Sequence, residues 1–562
     1  MASASRKLAK LYEATGGPGD VVAGSRRDRE LAEFLKGRFE ELGLDSRLVP
    51  FSCTSWEERK AFVEVNGERV EAVALPYSPS GDVEAELVYV GCGFRPEDWQ
   101  GVSAEGKVVL MEWFKEELDD VMWQYREAVI RGASAVVVFD AYPGVLRRIV
   151  IVVSEDYDWG PAAPPPVPVV AIKRGDGLRL AKLSGKARVR VYVETSVRHD
   201  ATAFTVEADT GGEPRILVTA HHDRWLAGFA DDFLGVGLVL ELAEELRELE
   251  GLRFISFSGE ESGAPGYSAW YWLWGSRVYV ERALRARDLE ELVAVINFDM
   301  PARKPVQVCA SGPDFLEPLI GLLGPSFEYA IDLPYFDSYS FTMAGIASMT
   351  FHSIDRYAEY YHTSEDLPHR VEWGAVVESL KAAKAVISEL TRRGCSFMKY
   401  SALKEWITRE LKKIEGLSEE ARRLREAIER ASIGELEARA LRAALCKAVF
   451  EGRYIEVHKP FSSAYAPQLL AVKDVEALGK ALKLAERGEW SGVEEVLASL
   501  PGYRVIPGEE EVLPSLDVTR IARLLARRKM LASLRELDHS RRVLADYIAK
   551  SLRQVLEGAG IV

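Results

Sequence analysis

The chain has 562 residues, 48% of them hydrophobic and 28% charged, which is enough for several globular cores. A formal net charge of −15 excludes a general nucleic-acid binder, which would need a basic face. No apolar run approaches the ~18 residues of a membrane span, and the start bearing Arg6, Lys7 and Lys10 has no apolar stretch behind it to make a signal peptide.

The first predicted element is a helix over 27–42, where Leu31, Phe34, Leu35, Phe39 and Leu42 share one face and Gly43 marks the stop. From about 51 to 193 the texture changes to short strands: AELVYVGCG at 85–93, GKVVLMEW at 106–113, ASAVVVFD at 133–140 and VPVVAI at 167–172. The proline-rich stretch 161–168 reads as a loop. From Arg215 to about Thr391, strand and helix alternate. ILVTA (216–220), RFISFS (253–258), VAVINF (293–298) and ASMTF (347–351) are short apolar runs suited to strands buried on both faces of a mostly parallel sheet. Helical patterns at 233–249 and 371–390 complete an α/β architecture.

After Cys395 the chain reads helical to its end. Leu403, Trp406, Ile407, Leu411 and Ile414 form one stripe, and Ile521, Leu524, Leu525 and Leu534 begin another. The stretch 454–468, with Pro460 and Pro467, interrupts these helices. The helical end either packs on the α/β part or forms a subunit interface; the pattern does not choose.

Five scattered cysteines (Cys53, Cys92, Cys309, Cys395, Cys446) form no C-x-x-C pair and read as reduced thiols of a cytoplasmic protein. Asparagine occurs twice and glutamine five times, a scarcity of thermolabile amides that suggests a thermophilic source.

The chemistry gathers at the strand ends of the α/β block, where open sheets bind ligands. After ILVTA comes His221-His222-Asp223. Strand alternation points His221 and Asp223 one way, so that Asp223 can fix the tautomer of a ligating His221, and it points His222 the other way into a structural role. Asp231 and Asp232 open the next helix, Glu260 and Glu261 follow RFISFS between glycines, Asp299 closes VAVINF, and His362 follows the FHS segment. Two histidines, several aspartates and a glutamate pair suffice for two metal ions that share one carboxylate, each with one terminal imidazole and one terminal carboxylate. Nitrogen and oxygen donors without thiolate suit two Zn²⁺, with Co²⁺ or Mn²⁺ as alternatives. Such a pair polarises a carbonyl and acidifies a water, and the remaining glutamate is then a general base.

These motifs resemble those of the co-catalytic dizinc peptidase family that includes bacterial secreted leucyl aminopeptidases, glutamate carboxypeptidase II and the transferrin receptor. The resemblance implies metal ligands His221, Asp231, Glu261, Asp299 and His362, with Asp231 bridging, and Glu260 and Asp223 as catalytic residues. It implies that His221 and Glu261 serve one zinc and that Asp299 and His362 serve the other. The segments in 51–195 are similar to a β-rich protease-associated domain. The implied layout is a mostly parallel zinc-peptidase sheet flanked by helices (1–50 and 196–395), a protease-associated insertion (51–195) and an α-helical C-terminal domain (396–562) that supports a homodimer.

The implied activity is that of a zinc-dependent exopeptidase, foremost an aminopeptidase acting on peptides. The alternatives are a carboxypeptidase of the glutamate carboxypeptidase II type, a glutaminyl-cyclase-like transferase and a non-catalytic scaffold. For the carboxypeptidase, Arg303, Lys304 and Arg356 are the candidate holders of a terminal carboxylate, or else they are surface charge. Trp270, Tyr271, Trp272 and Trp274 read as packing residues, and Asp337 and Tyr339 as candidates to border the substrate. Neither nucleic acid nor membrane is an expected partner.

Overall fold

The structure, a computed structural model, describes residues 2–93, 96–115, 118, 121–152, 163–268, 270–450, 454–456, 472–498, 503–505 and 532–562. Two helices come first, α1 (Ala2–Ala14) and α2 (Arg26–Glu41). The second is the predicted one. Ser25 caps it, its side chain accepting the Asp28 N–H at 3.1 Å. Gly43, at φ +82°, ends it in the left-handed region. Leu31, Leu35 and Phe39 bury its apolar face in the main core. The stripe did not predict α1, which is held by Leu8 packed over Gly237 and by Tyr12 donating its hydroxyl to the Ala227 carbonyl.

Thirteen strands make one sheet: β1 (Asp45–Val65), β2 (Glu68–Ala74), β3 (Gly81–Tyr89), β4 (Val108–Glu112), β5 (Ala135–Phe139), β6 (Val169–Ile172), β7 (Arg188–Asp209), β8 (Ile216–His221), β9 (Leu252–Phe257), β10 (Ala294–Phe298), β11 (Gln307–Ala310), β12 (Glu328–Ile331) and β13 (Ala347–His352). Their order is β1-β2-β6-β5-β4-β3-β7-β9-β8-β10-β13-β11-β12, and β1 also pairs with β7. Within it β9, β8, β10 and β13 run parallel, and their residues are almost wholly buried, as continuous apolar runs require. The architecture is mixed α/β, a large central sheet flanked by helices.

β1 and β7 pair antiparallel from Asp45↔Asp209 to Val65↔Val189. One end of β7 pairs with β9 and the other with β3, so this ribbon belongs to both halves of the sheet. Residues 51 and 195, where the sequence texture changes, lie inside these two strands rather than in linkers. The block beyond the ribbon has its own core, built from β2 to β6, α3 (Val121–Ile130) and α4 (Arg174–Ala181). The main half carries α5 (Leu234–Leu246), α6 (Trp274–Ala286), α7 (Pro313–Leu323), α8 (Asp337–Met343), α9 (Ile354–Tyr357) and α10 (Trp373–Arg393).

The C-terminal helices include α11 (Ser401–Ile414), α12 (Glu419–Arg430) and α13 (Glu435–Phe450). Leu403, Ile407, Leu411 and Ile414 are buried as the stripe predicts, in a core that includes Leu273 and Tyr339 of the main half. Arg442 adds a buried ion pair to Asp314, at 2.8 Å, and a hydrogen bond to the Gly345 carbonyl. These helices therefore pack on the α/β half. A short pairing of 454–456 with 503–505 falls in the predicted interruption, whose remainder lies outside the described residues, as do Ile521, Leu524, Leu525 and part of the 161–168 loop. Among the described residues, no helix is long and apolar enough to cross a membrane.

Candidate metal centre

The four parallel strands end on one edge, and the chain places its chemistry there. His221 is the last residue of β8, Asp299 directly follows β10, and Glu260 and Glu261 follow β9 after the Gly259 turn at φ +77°. Asp231 sits in the wide turn Phe229–Phe233 ahead of α5, and His362 lies beyond α9 at φ +57°. All six residues are between 1% and 8% exposed, so bulk water does little to screen them.

Asp231 divides its carboxylate between the histidines. Its Oδ1 lies 3.3 Å from His221 Nε2 and its Oδ2 3.2 Å from His362 Nε2. Glu261 approaches His362 Nε2 at 2.8 Å, and Asp299 approaches His221 Nε2 at 3.9 Å. The distances thus group His221 with Asp299 and His362 with Glu261. That exchanges the terminal carboxylates relative to the pairing the resemblance implied. β10 and β9 adjoin β8 on opposite sides, so Asp299 and the glutamate pair reach the cluster from either side of His221. Glu260 Oε2 stands 3.9 Å from His221 Nε2.

Supporting residues orient this cluster. His221 Nδ1 lies 3.0 Å from the Asp223 carbonyl and 3.7 Å from its carboxylate. The Asp223 carboxylate instead accepts the Glu260 and Glu261 backbone N–H groups at 3.1 and 3.0 Å, fixing the glutamate pair. Asp366 accepts the N–H groups of Ala230 and Asp231, and the Tyr357 hydroxyl at 2.8 Å. Asp232 turns from the cluster to accept N–H groups of His221, Gly235 and Met300. His222 points to Asp28, at 3.2 Å, and to Ser256, away from the cluster as alternation predicted. Sequence reasoning missed Asp28 and Asp366; an acid four residues after His362 was the available signal for the second.

The electrostatics are strained without further positive charge. Burial pushes Glu261 up to about 7 and raises Glu260 and Asp299, with His221 opposing it in both. Burial would lower His362, but Glu261 and Asp231 outweigh it and push the imidazole up to about 10. In Asp231 burial is outweighed by the two imidazoles beside its carboxylate, which hold the acid well below the usual range. Buried charges of one sign cost several kcal/mol each, of order, unless paired or bound to metal. Four carboxylates here (Asp231, Glu260, Glu261, Asp299) would balance two divalent cations with both imidazoles neutral. Buried His221 Nε2, Asp231 Oδ2 and Glu261 Oε1 lack hydrogen-bond partners, and the donor atoms of His221, Asp231 and Glu261, like those of His221, Glu260 and Asp299, lie within 4.8 Å of one another. The residues fit a metal pair.

Around the cluster, the other candidates are placed differently. Arg303 pairs with Glu359 at 2.8 Å, Lys304 with Glu378 at 2.6 Å, and Arg356 with Glu328. Asp337, fully buried, is pushed up to about 6 by burial. Tyr339 does not border the cluster: α8 turns it into the core shared with the C-terminal helices. Trp270, Tyr271 and Trp272 pack, as expected, where the inserted block meets those helices, and Trp274 donates its indole N–H to the Ser52 carbonyl at 2.8 Å.

Residues 203–387 match the model of peptidase family M28. The chain is 28% identical over 325 residues to the probable leucine aminopeptidase 2 of Aspergillus oryzae, covering 56% of each protein. It is 26% identical over 314 residues to the probable lipoprotein aminopeptidase LpqL of Mycobacterium tuberculosis, covering 52% of this chain and 58% of that one. The chain thus spans little more than half the length of these relatives. The zinc aminopeptidase BSAP of Bacillus subtilis has the same fold, with a TM-score of 0.54 at 21% identity over 69% of this chain and 94% of that one. So does a peptidase M28 precursor from Shewanella amazonensis, with a TM-score of 0.54 at 18% identity, over 69% of this chain and 95% of its own. The matched residues 203–387 contain every member of the metal cluster, and in this part the chain is similar to peptidase family M28.

Proposed function

We propose that this chain is a zinc-dependent aminopeptidase that removes N-terminal residues from unblocked peptides. The observation that carries the reading is the division of the Asp231 carboxylate between His221 and His362, with a terminal carboxylate beside each imidazole. A zinc pair held there by His221, Asp231, Glu261, Asp299 and His362 would supply Lewis-acid polarisation of the scissile carbonyl and acidify a water. Glu260 is the general base. It lies at the cluster's edge, its pKa raised by burial, and it takes the water's proton and delivers it to the leaving amine. Asp223 positions that base through its grip on the backbone of Glu260 and Glu261. Asp366 positions Asp231 in the same way.

The pairing of the candidate cations supports the aminopeptidase polarity. A carboxypeptidase must hold a terminal carboxylate, yet Arg303, Lys304 and Arg356 already sit on glutamates. The names of the curated relatives point to aminopeptidases as well. In this reading the 51–195 block is a protease-associated domain, and the chain works as a cytoplasmic homodimer. Free cysteines at all five positions fit a reducing compartment.

The test is a defined peptide pool, part of it N-terminally blocked, incubated with the zinc-loaded protein and read by mass spectrometry. Shortening of the unblocked peptides from the N-terminus, abolished by a chelator and restored by zinc, is the expected result. Shortening from the C-terminus would overturn the polarity, and chelator-insensitive cleavage would overturn the metal mechanism.

A further inference from the structure

The inserted block reaches the metal cluster. Residues 146–148, between β5 and β6, run antiparallel to 362–364. Leu146 and Ser364 exchange hydrogen bonds at 2.9 and 3.2 Å, and Arg147 bridges to Thr363. At His362 the pairing is reciprocal. The Arg148 N–H donates to the His362 carbonyl at 3.1 Å, and His362 Nδ1 lies 3.1 Å from the Arg148 carbonyl. A carbonyl can only accept, so Nδ1 carries a proton, and in the neutral imidazole that a metal ligand requires the lone pair is then on Nε2, the atom facing Asp231 and Glu261.

Arg147 holds the rest of this turn. Its guanidinium is fully buried and spans the two halves of the molecule. Nε pairs with Asp140 at 2.8 Å, Nη1 donates to the carbonyls of Ala358, at 3.0 Å, and Tyr361, and Nη2 donates to that of Glu359 at 3.3 Å. The planar fork thereby closes three carbonyls of the loop that delivers His362. Arg148 is tied to Glu58 at 3.0 Å, Asp20 at 3.2 Å and the Ala74 carbonyl at 3.1 Å, so the strand carrying its carbonyl is itself fixed.

We infer that residues 146–148 of the inserted block complete the metal centre, with Arg147 as the positioning residue for His362. The inference rests on the cluster holding two ions, as proposed above. It makes the block a fixed wall of the site, since swinging away as a lid would release His362 from its only Nδ1 acceptor among the described contacts. The two halves of the cluster then depend on the block unequally. His221 takes its support from Asp223, within the family-matched residues, and His362 takes its support from the insert.

The experiment is a zinc titration of the full chain against a chromophoric chelator, comparing wild type with Arg147→Lys and with the double variant Asp140→Asn/Arg147→Met. The lysine keeps a charge for Asp140 but cannot fork three carbonyls; the double variant leaves no buried ion alone. The expected result is two ions in wild type and, in both variants, an unchanged first ion with a second weakened about 10–100-fold, the range found when support behind a ligand is lost. Equal loss of both ions would mean a merely structural role and would overturn the inference, as would two ions bound as in wild type. A wild type that takes up no zinc overturns the proposed function, and this inference with it. Should the double variant fail to fold by circular dichroism, Arg147→Lys decides.

Discussion

Asp366 holds Asp231 by its backbone, not its side chain. The Asp231 N–H donates to Asp366 Oδ2 at 3.1 Å, which leaves both Asp231 carboxylate oxygens for the two imidazoles. Asp366 also accepts from Ala230 and Tyr357, so one buried acid sets the whole turn. Asp366→Ala is expected to lower zinc retained after dialysis, with affinity down about 10–100-fold, and Tyr357→Phe to do so less. Full retention in Asp366→Ala would show that the turn holds itself.

Glu260 and Glu261 are neighbours with different surroundings. Glu261 touches His362, whereas Glu260 touches no histidine more closely than 3.9 Å. Glu260→Gln should therefore keep its zinc and lose about 10²–10⁴-fold in kcat, the usual reach of a general base. Glu261→Gln should lose zinc first. Unchanged turnover in Glu260→Gln would remove it from the mechanism.

Asp332, just after the edge strand β12, is buried among donors. Its Oδ1 accepts from Ser338 at 2.9 Å and its Oδ2 from Thr342 at 2.6 Å. Burial nevertheless pushes it up to about 7, the hydrogen bonds opposing. A folded pKa above the unfolded one, near 3.9, means that the protonated form favours folding. That stability is complete below about pH 4 and is lost as pH rises towards about 7, by at most ~1.4 kcal/mol per unit. Asp332→Asn does not titrate. Its stability relative to wild type should climb between about pH 4 and 7 and level off above, in denaturant titrations at several pH values. A difference that does not change with pH would refute the assignment.

Arg442 and Asp314 join the C-terminal helices to the α/β half, at 3% and 0% exposure. Removing one partner of such a pair leaves a buried charge, so Arg442→Met should cost about 3–5 kcal/mol. Arg422→Met, on an exposed helix pair with Glu419 and Glu426, should cost less than about 1 kcal/mol. Calorimetry of the two variants side by side makes the comparison, and equal losses would deny the pair its role.

The cluster was legible because its residues interrupt apolar runs at strand ends, where a lone polar side chain stands out. His221, Asp299 and the glutamate pair each follow a buried strand directly. Their grouping was not legible: β9 and β10 both adjoin β8, so only the distances in space decide which carboxylate meets which imidazole. The supporting residues were illegible for a related reason. Asp28, Arg147, Arg148 and Asp366 come from three distant segments, and in sequence each looks like ordinary surface charge. Tyr339 was misplaced because a tyrosine beside Asp337 reads as polar, whereas helical geometry turns it to the opposite side. The 51–195 boundaries followed a change in texture, which β1 and β7 cross without a break.

That uninterrupted ribbon bears on how such a protein can be rebuilt. Deleting the chain between 51 and 195 would cut both long strands short and leave β7 residues 195–202 without their β1 partners 52–58. A cut farther out, past Val65 and before Arg188, finds two chain ends already held side by side, ~5 Å apart as paired strands are. A tight turn grafted there would close the molecule without disturbing the register at Asp45 and Asp209. It would also remove Arg147 and Arg148, so a shortened chain of this kind would keep the β1–β7 ribbon and the parallel strands, lose β2 to β6, and lose the support behind one of its two imidazoles.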